Sequence, residues 1–164
     1  MRCVVVLAAA LLVLSGCSAS TDTGAKKQDE RLPDVTLQPL DDGEPLDLAG
    51  VRGPMVVNLW ASWCGPCERE LPLYQAYAKK HAGTVDVLGV DWQETQKEKA
   101  RALARRSGVT YPLVTDPDGK LRTQALPKLI LVDREGRVAH EQYVEITSVA
   151  QLERLVETHL KVTS

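Results

Sequence analysis

The sequence predicts an α/β domain: a mixed central sheet flanked by helices on both faces. Three observations carry this. Apolar runs of strand length at residues 55–60 (MVVNLW) and 85–91 (VDVLGVD) are each followed by a segment with helical spacing, the pattern of parallel strands joined by crossover helices. After residue 128 the order changes. Residues 129–132 (LILV) and 137–143 are joined by Asp133-Arg134-Glu135-Gly136, which reads as an antiparallel hairpin. A last helix then opens on Ser148, with Gln151 completing a capping box and Val149, Leu152, Leu155, Val156 and Leu160 on one face.

The remaining elements follow in order. Residues 32–37 and 45–48 are short strands around the Asp41-Asp42-Gly43 turn, a hairpin that precedes the Gly53-Pro54 punctuation. The helix after residue 64 carries Leu71, Tyr74, Tyr77 and Ala78 inward. Pro72 inside it lacks an N–H and should kink it. Thr95 with Glu98 forms a second capping box, and Gly108 ends that helix. Residues 112–115 are a short extended piece before the Asp116-Pro117-Asp118-Gly119 turn.

The N-terminus reads differently. Arg2, an apolar run over residues 4–14 and Leu14-Ser15-Gly16-Cys17 are too short to span a bilayer and suit a signal peptide. The LSGC ending resembles the lipobox of bacterial lipoproteins. That resemblance implies cleavage after residue 16 and lipidation of Cys17. An ordinary signal peptide cut nearby is the plainer alternative. Residues 17–30 hold almost no large apolar side chain and read as a tether, leaving residues 31–164 as one domain. The expected location is therefore extracytoplasmic, anchored to the cell membrane as a lipoprotein.

Four cysteines are present. Cys3 leaves with the signal and Cys17 is capped by lipid, so the domain keeps only Cys64 and Cys67, outside the cytoplasm where disulfides persist. With 20 basic and 22 acidic residues and no basic cluster interleaved with aromatics, nothing points to nucleic acid. The pair has three readings. Zinc needs about four ligands; CxxC supplies two, and His81, His140 and His159 show no close pairing in sequence. A static disulfide closing so short a loop adds little stability. Redox exchange needs two thiols that meet, the first at a helix N-terminus where free N–H groups and the dipole favour its thiolate. Cys64 attacks and Cys67, one turn deeper, resolves. No cofactor beyond this pair is expected, and no metal.

A strand feeding Trp63-Cys64-Gly65-Pro66-Cys67 at a helix start resembles the thioredoxin fold, over residue 32 to the C-terminus. The chain is most similar to the TlpA/ResA-like branch. Thioredoxins carry a buried Asp six residues before the first cysteine, where this chain has Asn58. The branch carries a Glu three residues after the second, which here is Glu70. The resemblance implies that Glu70 exchanges a proton with Cys67; a solvated acid in the helix's first turns is the alternative, and Glu68 fits that description. It also implies that Leu126-Pro127 is the cis-proline loop facing the cysteines, offering backbone groups to an extended substrate. Trp63, Gly65 and Pro66 complete the expected docking surface. Ala125, Leu126 and Lys128 depart from the usual pattern there, which bears on substrate preference. Trp60 is expected in the core, and Trp92 either lines the same face or covers core.

The uncharged Gly-Pro spacer points to a reductant, since a strong oxidant needs a heavily stabilised thiolate. The family implies protein thiols and disulfides outside the cytoplasm as partners, a membrane thiol donor, and apocytochrome c as a frequent target. An oxidant of exported proteins and a lipoprotein handling Cu(I) through its soft sulfurs remain as alternatives.

Overall fold

The computed structural model describes residues 29–162. The expected signal peptide, Cys17 and nearly all of the expected tether lie outside the described residues. The elements are β1 (Thr36–Pro39), β2 (Leu46–Asp47), β3 (Met55–Trp60), α1 (Gly65–Lys80), β4 (Asp86–Trp92), α2 (Lys97–Arg106), β5 (Leu113–Asp116), β6 (Lys128–Val132), β7 (Val138–Tyr143) and α3 (Val149–Leu160), with a 3-10 turn at Leu48–Gly50. They build one seven-stranded sheet in the order β2-β1-β5-β4-β3-β6-β7. The strands β3, β4 and β5 run parallel, while β1, β2, β6 and β7 pair antiparallel. The sheet is mixed, as the sequence predicts.

The helices are not on both faces. Side chains alternate along a strand, so Val56, Asn58 and Trp60 share one face of β3 and Val57 and Leu59 the other. Val56 packs with Tyr74 and Tyr77 of α1 and Leu152 and Val156 of α3. Trp60 packs with Leu71 of α1 and Ala100 and Leu103 of α2. All three α-helices therefore cover the Trp60 face. The cause is handedness: the order β3, β4, β5 advances in one direction, and two successive right-handed crossovers lay α1 and α2 on the same side. The Leu59 face is closed by residues from the chain's start and loops, Leu32, Leu37, Leu48, Val51 and Leu121, with no α-helical residue in that cluster.

Local signals were partly realised. Ser148 caps α3, its hydroxyl accepting from the Gln151 N–H at 3.2 Å, while Gln151 reaches back to the Thr147 N–H at 2.8 Å. The Thr95–Glu98 box does not form; Gln96 is the N-cap of α2, without a side-chain bond, and its N–H donates to Glu94 at 2.6 Å. An acid just before the helix thus takes the N–H of the N-cap residue, and the helix starts one residue later than the capping box predicts. Helix α1 runs through Pro72 without interruption.

The described chain enters at one end of the sheet. The Glu30 carbonyl accepts from the Val138 N–H at 2.6 Å, and Arg31 bridges to Arg137. Val138 pairs with Val132, which pairs with Met55 at the start of β3. Cys64 follows the opposite end of that strand, six residues away along β3, about 20 Å.

Candidate active site

Strand β3 ends at Trp60, fully buried, and a short turn carries the chain to Cys64 at the N-cap of α1. Gly65 and Pro66 occupy the first helical positions, where a missing N–H is not needed. Cys64 and Cys67 are joined in a disulfide, with Cα atoms 5.3 Å apart. The Cys64 sulfur also accepts the Cys67 N–H at 3.3 Å, so the helix start directs a donor at that sulfur. Cys64 is 5 % exposed and Cys67 not at all, which makes Cys64 the accessible member. Gly65 meets no neighbour within 4 Å of a side-chain position, leaving the approach to the sulfurs open.

Around the pair, the expected residues fall into groups. Trp63 is 57 % exposed beside Cys64. Leu126 packs against the cluster that holds both cysteines, and the Leu126–Pro127 peptide is cis, as is Gly53–Pro54. Glu70 is 1 % exposed, one turn past Cys67, and its carboxylate accepts the Ile146 N–H from the loop after β7. Burial pushes its carboxyl up to about 7 against the pull of that N–H; Glu145 adds to the rise and Arg69 opposes it. Glu68 is exposed and pairs with Arg106 at 3.0 Å, so it is the solvated acid. Trp92 points to the other side: its indole N–H donates to the Leu121 carbonyl at 2.8 Å and it covers the Leu59-face core.

The structure adds residues and partners that the sequence alone did not give the site. Glu94 accepts the Ser62 N–H at 3.0 Å and the Gln96 N–H at 2.6 Å, tying the loop before Cys64 to the start of α2. Burial raises its carboxyl, but these hydrogen bonds outweigh that and leave it below the ordinary range. The Tyr143 hydroxyl accepts the Gln124 N–H at 3.2 Å and the Thr123 hydroxyl donates to the Ala125 carbonyl at 2.9 Å, bracing the loop before Pro127. Lys128 is buried; its ammonium pairs with Glu141 at 2.9 Å and lies 5.6 Å from the Tyr143 ring centre. Asp91, on β4 opposite Trp60, is 1 % exposed. A period-two reading of VDVLGVD places Val87, Gly89 and Asp91 on one face, the signal that would have found it.

The histidines do not join the cysteines. His81 bonds Glu153 at 3.0 Å, whereas His140 and His159, unpaired in the sequence reading, stack with ring centres 3.8 Å apart across β7 and α3. Burial lowers His159, and His140 and Lys161 add to that. Among the described residues no three His, Cys, Asp or Glu side chains form a metal site.

A thiol pair at a helix start, over a buried carboxyl and beside a cis-proline loop, defines a thiol-disulfide oxidoreductase of the thioredoxin superfamily. The comparisons agree. The sequence profile of the Redoxin family matches residues 27–156, and the chain belongs to that family. It is 36 % identical over 115 residues to the thiol-disulfide oxidoreductase ResA of Geobacillus thermodenitrificans, covering 65 % of this chain and 63 % of that relative. Among solved structures it resembles a putative protein disulfide isomerase from Bacteroides thetaiotaomicron, with 33 % identity, TM-score 0.64, and 81 % and 89 % of the two chains covered. It also shares its fold with a dsbF from MTB determined in mixed oxidised and reduced forms, at 24 % identity, TM-score 0.68, and 76 % and 94 % covered.

Proposed function

We propose that this protein is an extracytoplasmic reductant of protein disulfides, held at the membrane through a lipid on Cys17. The observation that carries the redox role is the Cys64–Cys67 disulfide at the N-cap of α1, with its less buried sulfur under a helix N–H. Reduced Cys64, as thiolate, attacks a substrate disulfide. One substrate sulfur leaves as thiolate and takes a proton, and the other stays in a mixed disulfide with Cys64. Cys67 then loses its proton to the Glu70 carboxylate and attacks Cys64 Sγ, releasing the second substrate thiol and restoring the Cys64–Cys67 bond. A carboxyl poised near neutral pH suits that transfer in both directions. The extended substrate lies along the loop before Pro127, between Trp63 and Leu126, with Gly65 and Pro66 leaving room at the sulfurs.

The uncharged Gly-Pro spacer supports the reducing direction, and a membrane thiol carrier is the electron donor this requires. The lipid anchor rests on the LSGC ending at Cys17. Secretion of related proteins is in keeping with the location: structures of similar fold include a secreted thiol-disulfide isomerase from Corynebacterium glutamicum. Apocytochrome c is the proposed target, as the resemblance to the TlpA/ResA-like branch implies; the thiol-disulfide oxidoreductase ResA is among the relatives.

Equilibration of the pair with glutathione and dithiothreitol tests the direction. A reduction potential of about −270 to −230 mV supports a reductant, and one near about −120 mV makes the protein an oxidant of exported proteins.

A further inference from the structure

The mechanism above uses one buried carboxyl, yet the site contains two. Asp91 sits near the C-terminal end of β4, in register with Trp60 on one side and Thr115 on the other. It shares the helix-covered face with Asn58 and Trp60, and Trp60 packs in the same cluster as Cys64, Cys67 and Leu71. Glu70 reaches from α1 towards the loop after β7, and Asp91 lies on β4, one strand beyond the β3 that leads to Cys64.

Their surroundings differ. Asp91 Oδ1 and the buried Trp60 Nε1 have no hydrogen-bond partner, and the buried Asn58 Oδ1 and Tyr111 hydroxyl lie beside them, the Asn58 and Tyr111 side chains close to one another. These four atoms belong to one neighbourhood. Asn58 is in register with Gly89 and Trp60 with Asp91, and a methyl group at Gly89 would come within 3.1 Å of both Trp60 Nε1 and Tyr111 Cε2. A polar seam thus runs under the start of α1 through an otherwise apolar core. Charge placed in such surroundings is felt further than at a surface, because little water screens it. The charged neighbours of Asp91 are Glu94 and Lys97; Arg101 of α2 is turned to the Leu40 carbonyl and Asp41, Thr115 of β5 is neutral, and α1 supplies Glu70 across the cysteines. Burial holds the Asp91 carboxyl up at about 7, Glu94 adds to this and Lys97 opposes it.

We propose that Asp91 is a positioning residue that acts through charge: ionised, it opposes thiolate formation in the reduced Cys64–Cys67 pair and so sets the pH range in which the pair attacks. The inference rests on the redox role proposed above. Reduction by a dithiol adds two electrons and two protons to the disulfide. Any thiolate then formed releases one of those protons, and a carboxylate across Trp60 disfavours that release. The neutral disulfide carries no such charge, so the coupling exists only in the reduced protein. It is also reciprocal: a thiolate must hold the Asp91 proton more tightly.

Two measurements test this on the full chain. In reduced Asp91→Asn, the thiolate absorbance at pH 7.5 is expected to show about fivefold more ionised thiol relative to thiol than the wild type. The two proteins are expected to agree at pH 5, where Asp91 already holds its proton. A difference that persists unchanged at pH 5, or no difference at either pH, overturns the proposal. The second needs no variant: the Asp91 carboxyl carbon, followed by NMR in the wild type, is expected to titrate at higher pH in the reduced than in the oxidised protein. Identical titration in both states, where the thiolate absorbance shows the pair ionised over that pH range, overturns it. Failure of the wild-type pair to exchange with glutathione would instead defeat the redox reading, and the carboxyl titrations can be read whichever way that exchange turns out.

Discussion

The two flanks of the disulfide solve the same problem in opposite ways. On the β7 side, the Glu70 carboxylate is satisfied by the Ile146 N–H, and Arg69 pairs with Glu145 at 2.7 Å just outside. On the β4 side, Asp91 keeps one oxygen without a partner, and the nearby Glu94 spends its oxygens on backbone N–H groups. Both buried carboxyls are held near 7, chiefly by burial. A carboxyl tied to a loop is placed to pass a proton at one point. One left without a tie acts over a distance. Burial alone therefore does not define a role; the hydrogen-bond partner does.

The sharpest way to break this comparison is to remove what both flanks serve. Cys64→Ser is expected to abolish disulfide exchange altogether, while Cys67→Ser leaves the first attack intact and accumulates a mixed disulfide, visible by mass on a substrate peptide. Equal trapping by both variants would show that the order of attack is wrong.

Stability against pH separates the flanks next. Each carboxyl binds its proton more tightly folded than unfolded, so its stabilisation is complete below the unfolded value near 4. It is lost as pH rises towards about 7, on the order of 3 kcal/mol for each group. Urea unfolding of the oxidised protein between pH 4 and 8 is expected to show this decline, and Glu70→Gln and Asp91→Asn each to remove about half of it. A variant that retains the whole decline points to a different group.

A smaller effect sharpens the contrast. Glu70→Gln is expected to slow exchange about a hundredfold near pH 7, with the pH dependence around that value flattened, because the amide keeps the Ile146 bond but carries no proton. An unchanged rate profile would reduce Glu70 to a brace. Smallest is Glu94→Ala, which frees the Ser62 and Gln96 N–H groups. It is expected to cost about 1 kcal/mol or somewhat more in thermal unfolding.

Much of this site is local in sequence, and to that extent it could be read there. Cys64, Cys67 and Glu70 lie within two turns of one helix, so 3.6-residue spacing alone places them together. The hairpin at Asp133–Gly136 and the Ser148 cap are likewise short-range signals. What escaped depends on contacts between distant segments. The face taken by α2 follows from strand order, which no residue in α2 records. Glu94 holds the approach to α2 because the loop before Cys64 returns to meet it, 32 positions away. The stacking of His140 on His159 requires β7 and α3 to be packed first. Asp91 ended an apolar run; alternation puts it on a face with Val87 and Gly89, and its register with Trp60 brings that face to the site.

The chain's point of entry has a consequence for reach. Glu30 and Arg31 are fixed at the base of the sheet, beside Val138 and Arg137, while Cys64 lies at the other end of β3. Anything that grips the domain at this base leaves the Cys64 end free, as a tool held at its heel leaves its tip free.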